Sequence, residues 1–186
     1  WPPTDAPEAR PSRVRSPDGW CRVVWPHRWE HDKGPETLLK LARRYTRPER
    51  VRWIILGERY RAVPEPMARF LDEFDEFIDH SAYVEERGGY HAWLGRADWV
   101  VSTARHEFFG LAVVEALLAG CLPWLPRRLS YPELLPEAAR GLSPMRPPAD
   151  PEGIGRAVRS HLAAARGPSA VSRLDDVLAA VASAVP

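Results

Sequence analysis

Several things are scarce in this 186-residue chain, and each scarcity excludes something. It has two cysteines, Cys21 and Cys121, both inside apolar, strand-like runs, and no CxxC or other metal spacing. A disulfide-stapled fold and a cysteine zinc site are therefore excluded, and the reading is two buried thiols in a reducing compartment. No stretch approaches the roughly 18 uninterrupted apolar residues that a membrane span requires. No signal peptide is visible, and a cytoplasmic location is expected. There is no internal repeat. Lysine is nearly absent: Lys33 and Lys40 stand alone among the arginines, so a lysine inside a motif is worth noting. The formal net charge is only +1, which excludes a general nucleic-acid-binding surface but leaves room for a local patch.

What is present reads as one sizeable α/β domain. Residues 1–18 hold five prolines and little apolar content, as expected for an interdomain linker or disordered tail. The chain opens on Trp1, and a piece of something longer is expected. After residue 18, apolar β-branched runs alternate with helical patterns. Strands are expected at 21–25, 51–57, 78–84, 98–103 and 121–126. Helices are expected at 35–45, 65–77, 88–97, 110–120, 131–136 and 151–166, and a last one at 170–185. The domain is thus placed at 19–168, with a C-terminal helix over 169–186. Such alternation implies βαβ units, hence a doubly wound, mostly parallel sheet of Rossmann-like type covered on both faces. Ligands of such sheets sit at the carboxyl ends of the strands, so the chemistry should lie in the segment after each strand.

Three post-strand segments are polar: "PHRWEHDKG" (26–34), "GERYRAVPE" (57–65) and "ARHEFFG" (104–110). In the first, Arg28 and Lys33 could clamp a diphosphate, the one as a planar fork of donors and the other as a point charge. The alternative is a hydrated loop with a Glu30–Lys33 pair. In the third, Gly110 opens a helix whose free amides and dipole attract an anion, and a glycine lets a phosphate or sugar approach closely. Glu107 lies beside that site and Glu115 two turns into the helix. The plain alternative is a capping Glu107 and a solvent-facing Glu115. A carboxylate among Val113, Val114, Ala116, Leu117 and Leu118 is costly to bury without a partner, which favours a functional role. His27 and His31 are four apart but lie in a loop with no third ligand, so no metal site is expected there. Pocket lining is expected for His27 and His106. No D-x-D triplet exists, and "DEFDEF" (72–77) has the spacing of a solvated helix face.

These residues resemble a known family. Glu107 and Glu115 form the E-x7-E pattern of the retaining GT-B glycosyltransferases of family 4, and Arg28 and Lys33 match that family's R-x4-K pair. The resemblance covers about residues 20 to 140 and points to the C-terminal, nucleotide-sugar-binding half of a GT-B fold. "PHRWEHDKGPE", "STARHEFFG" and "YPELLP" resemble more narrowly the glycosyltransferase-like domain-containing family, whose members include the tRNA-queuosine mannosyltransferases. The resemblance implies a retaining transfer of mannose from GDP-mannose to queuosine in tRNA-Asp, without a metal or other cofactor. It implies that Arg28 and Lys33 hold the diphosphate and Glu107 the sugar hydroxyls. The backbone of Phe109, Gly110 and Leu111 would cradle sugar and phosphate, and Glu115 would take the ribose. The strand at 78–84 and its following loop would lie near the base. An N-terminal acceptor domain is missing from the chain, so donor binding with little or no transfer is implied for it alone. Another nucleotide-sugar with a lipid or metabolite acceptor, or a non-catalytic nucleotide-binding module, are the alternatives.

Overall fold

The computed structural model of the chain describes residues 7–59 and 62–165. Five strands form one sheet: β1 (Cys21–Trp25), β2 (Val51–Leu56), β3 (Ile78–Ala82), β4 (Trp99–Val101) and β5 (Leu122–Trp124). Their order is β3-β2-β1-β4-β5, and every neighbouring pair is parallel. The sheet is therefore wholly parallel among the described residues, where the sequence reading allowed only mostly so. The intervening helices are α1 (Pro35–Tyr45), α2 (Glu65–Phe74), α3 (Arg87–Arg96), α4 (Leu111–Leu118), α5 (Tyr131–Leu134) and α6 (Pro151–Ala164). The helix expected over 170–185 and residues 1–6 lie outside the described residues.

Alternation along the strands builds two cores. Cys21, Val23, Trp25, Val51, Trp53, Ile55, Trp99 and Val101 face α1 and α2. Val24, Ile54, Leu56 and Val100 face α3, α4, α5 and α6. Both faces being covered is why these strands carry continuous apolar runs. Both cysteines are buried free thiols, and burial pushes each up to about 12. Trp25, Trp53 and Trp99 are fully buried. Each indole N–H has an acceptor, as such a buried donor requires. Trp25 donates to Thr103 Oγ1 at 2.8 Å, Trp53 to Thr46 Oγ1 at 2.9 Å and Trp99 to the Val14 carbonyl at 2.9 Å. The "DEFDEF" stretch behaves as its spacing predicts: Phe74 and Phe77 are buried, while Glu73 and Glu76 face outward to Arg43 and Arg47.

The proline-rich segment, expected as a linker or tail, is laid against the domain over its described part, residues 7–18. The cause is Asp98, a completely buried carboxylate at the start of β4. It accepts from Arg13 Nε at 2.5 Å, Ser16 Oγ at 2.9 Å and the Arg22 amide at 2.8 Å. Arg10 adds Nε to the Gly95 carbonyl at 2.6 Å and its amide to the Ala119 carbonyl at 3.2 Å. Composition could not foresee this, because the partner lies some 80 residues away in sequence.

β1 and β4 are neighbours, and the connections leave them toward opposite ends of the sheet. This is the topological switch point, where the loops at the strand ends part and leave a crevice.

Candidate functional site

The loop after β1 runs from Pro26 to Gly34, with one 3-10 turn at His31–Lys33. Gly34 sits at φ 67°, and a Cβ there would collide with the Thr103 carbonyl, so glycine is required. Two contacts lock this loop to the one after β4. Thr103 Oγ1 donates to the Lys33 carbonyl at 2.7 Å, and the Arg105 amide donates to the Asp32 carbonyl at 2.7 Å. Lys33 is thereby fixed, and its side chain is only 12% exposed. Its Nζ lies 3.1 Å from Asp32 Oδ2 and 3.6 Å from Glu107 Oε2, and donates to the His106 carbonyl at 3.0 Å. Arg28 is more exposed and lies 3.4 Å from Glu30. Glu30 and Asp32 thus each stand beside one of the two cations.

Glu107 uses its two oxygens differently. Oε1 accepts the Gly110 amide at 3.0 Å, fixing the turn that leads into α4, while Oε2 faces Lys33. Holding that turn and facing the cleft are both served by one side chain. Gly110 has φ 67°, the left-handed turn that admits the chain into α4. The first helical amide to bond backward is that of Val114, to Gly110. The earlier amides of a helix have no intrahelical acceptor, and Leu111, Ala112 and Val113 line the cleft. Pro26, His27, Arg28, Lys33, Glu107 and Gly110 complete a cleft of about 250 Å³. A larger cavity, about 420 Å³, opens at the opposite sheet edge beside Arg13, Asp18, Arg22 and Arg96. Arg13 and Arg22 there are committed to Asp98, Asp18 and Asp79, so it is the side of the strap rather than a free anion site.

His27 lies at the cleft wall, almost fully buried. Its Nε2 is 2.9 Å from Ser102 Oγ, which is 2.6 Å from the Tyr131 hydroxyl. Burial, and then the charge of Lys33, push His27 down to about 3, so the ring is neutral at physiological pH. Tyr131 is pushed up to about 12 by burial and also stays neutral. This His27–Ser102–Tyr131 chain was not foreseen; Ser102 and Tyr131 sit 75 and 104 positions from His27, and no local spacing links them.

Glu115 is not solvent-facing. Its side chain is 12% exposed and pairs with Arg87 Nη2 of α3 at 3.0 Å. The Tyr90 hydroxyl also bonds it, and burial raises the Tyr90 pKa. The expected partner of a carboxylate in an apolar helix is therefore Arg87 with Tyr90, both missed in the sequence because α3 had no recognised motif. Glu115 faces α3, one turn along α4 from Leu111 and Ala112 of the cleft lining. His106 contributes its carbonyl to Lys33, while its imidazole is exposed. Phe109 and Leu111 stand on the lip, 66% and 50% exposed. Among the described residues, no three His, Cys, Asp or Glu side chains are grouped so as to hold a metal ion. No described helix is long and apolar enough to cross a membrane.

A parallel Rossmann-like sheet with a cationic cleft and a helix start at its switch point has the fold of a GT-B Rossmann-like domain. Comparison with solved structures agrees on the fold. Sucrose-phosphate synthase from Thermosynechococcus elongatus matches with a TM-score of 0.64 over 92% of this chain and 47% of that one, at 18% identity. The C-terminal domain of a glycosyl transferase group 1 family protein from Francisella tularensis matches with a TM-score of 0.56 over 85% of both chains, at 15% identity. In sequence, the chain is similar to the tRNA-queuosine alpha-mannosyltransferase of Drosophila melanogaster, 39% identical over 116 residues. That match spans 62% of this chain and 30% of the relative's length. No family model matches the sequence.

Proposed function

We propose that this chain is the donor-binding half of a retaining glycosyltransferase that transfers mannose from GDP-mannose to queuosine in tRNA-Asp. The observation that carries the reading is the seating of Lys33 between the loops after β1 and β4, facing Glu107 at the start of α4. A fixed cation, a second cation in Arg28 and helix-start amides around one cleft suit a nucleoside diphosphate as leaving group. Arg28 and Lys33 neutralise the charge that builds on the diphosphate as the glycosidic bond breaks. Because Lys33 is held in place beforehand, little reorganisation is needed as that charge develops. Glu107 takes donor-sugar hydroxyls, and the backbone of Phe109, Gly110 and Leu111 holds sugar and phosphate. Glu115 receives the ribose hydroxyls, with Arg87 and Tyr90 holding the carboxylate. His27, kept neutral, offers a hydrogen bond at the cleft wall without competing for the diphosphate. No metal is needed in this reading, because cations and amides supply the electrostatic stabilisation.

The identity of the sugar and acceptor leans on the similarity to the Drosophila melanogaster relative. An acceptor-binding half supplied by sequence outside this chain completes the enzyme in the cytoplasm. Alone, the chain binds donor with little or no transfer. Calorimetry with GDP, UDP and ADP, then with their sugars, tests it. Preference for GDP and GDP-mannose is expected. Preference for UDP overturns the mannosyl assignment, and absence of any nucleotide binding overturns the donor-site reading.

A further inference from the structure

The outer lip of the cleft carries a surface that donor binding does not use. Phe108 is 88% exposed, far more than an aromatic ring needs to be in a loop that is otherwise pinned on both sides. Phe109 and Leu111 next to it are exposed too, so this lip displays several apolar side chains together, as a contact surface does. The loop after β5 runs alongside it. Arg128 Nη1 donates to the Arg105 carbonyl at 3.5 Å, and a Cβ on Gly110 would meet the Tyr131 ring at 3.3 Å. Arg127, Arg128 and Leu129 of that loop are exposed. Leu129 is held at φ 59°, a left-handed conformation that a leucine rarely adopts. Arg105, also exposed, is held by Glu36. Across residues 105–110 and 127–131 there is one acidic side chain, Glu107, and it is turned inward to Lys33 and the Gly110 amide. The lip is therefore an exposed ring with the Arg128 guanidinium against its loop, while that of Arg127 lies against Gly141, on a chain whose overall charge is close to zero. That local composition suits single-stranded nucleic acid: a base stacks on the ring while the arginine takes a neighbouring phosphate.

We propose that Phe108 and Arg128 form the surface that receives an RNA acceptor, with a nucleobase stacked on Phe108 and an adjacent phosphate held by the arginine. This rests on the reading above that the acceptor is an RNA nucleoside. It places part of acceptor recognition on the donor half, at the mouth of the cleft where sugar must be delivered.

The test is fluorescence anisotropy of a short fluorescein-labelled single-stranded RNA with this chain, over a salt series, beside calorimetry with GDP. Phe108→Ala is expected to weaken RNA binding on the order of tenfold or more, and Phe108→Trp to retain it. Arg128→Ala is expected to reduce the salt slope by roughly 0.7, the value for one phosphate on a single strand. GDP affinity is expected to be the same in every variant, which also shows that each one folds. RNA binding that is absent from the wild type, or equal in wild type and Phe108→Ala, overturns the assignment. Anionic vesicles bound through Phe108 in place of RNA overturn it as well. The two readings fail separately: loss of GDP binding in the wild type with Phe108-dependent RNA binding retained sinks the donor site and leaves the lip standing.

Discussion

Lys33 Nζ and Glu107 Oε2 lie 3.6 Å apart, across two loops that are joined by the Thr103 hydroxyl and the Arg105 amide. The pair sets a cation beside the start of α4, and the carboxylate that faces it also holds the Gly110 amide of the turn into that helix. A ligand diphosphate entering the cleft would draw on the same cation, so the free protein keeps Lys33 partnered until an anion arrives.

Removing the cation is the first test. Lys33→Ala is expected to weaken GDP binding about ten- to a hundredfold, since a hydrogen bond to a charged group contributes about 1.5–3 kcal/mol. The main-chain contacts of Lys33 survive the substitution, so thermal stability should change little. Isothermal calorimetry beside a melting curve separates the two, and unchanged GDP affinity would remove Lys33 from the site.

Glu107→Gln keeps an oxygen for the Gly110 amide and abolishes the charge opposite Lys33. In a form of the enzyme competent for transfer, kcat should fall on the order of a hundredfold or more. GDP affinity should hold or improve, because an anion no longer competes for the lysine. Turnover at the wild-type rate would sink the role given to Glu107.

Asp98→Ala should release the strap. The variant leaves Arg13, Ser16 and the Arg22 amide without their buried acceptor. Part of Arg13 is exposed, so the cost is set below that of a wholly buried pair, at about 2–3 kcal/mol. Melting should drop by roughly 4–12 °C. Limited proteolysis should then cut within residues 7–18, and resistance to it would show that the strap is held by other contacts.

His27 makes stability depend on pH. Its folded value, about 3, lies below the ordinary 6.5, so the unfolded chain takes up a proton first as pH falls. The contribution is complete above 6.5 and is lost progressively between 6.5 and 3. Going from pH 7 to pH 5, this one ring should cost about 2 kcal/mol. His27→Gln should lack that loss. Urea unfolding of both proteins at the two pH values measures the difference, and equal pH dependence would show that His27 is solvated.

The secondary structure was legible because its signals are local. The 3.6-residue spacing of Leu38, Leu41, Ala42 and Tyr45, with Pro35 in the first turn, gave α1 at its observed bounds. Continuous apolar runs gave β1 and β2, and the "FFG" turn placed the start of α4. The ends of β3 and β4 fell short of the runs that marked them. At β4 this is because Ser102 and Thr103 turn their hydroxyls to His27, Tyr131 and the Lys33 carbonyl rather than extending the strand.

By itself, then, the sequence determined the alternation of strands and helices, the parallel sheet and the loops on which polar groups would gather. Periodicity and the Gly and Pro positions depend only on near neighbours in the chain. Only the tertiary structure decided which of those polar groups meet. It set Asp32 and Glu107 around Lys33, gave Glu115 to Arg87 and Tyr90, buried a neutral His27 against Ser102, and turned a proline-rich stretch into a strap on Asp98. Burial and pairing energies depend on groups brought together from distant positions. The same residues at the same spacings could serve other partners until the sheet order fixes their neighbours.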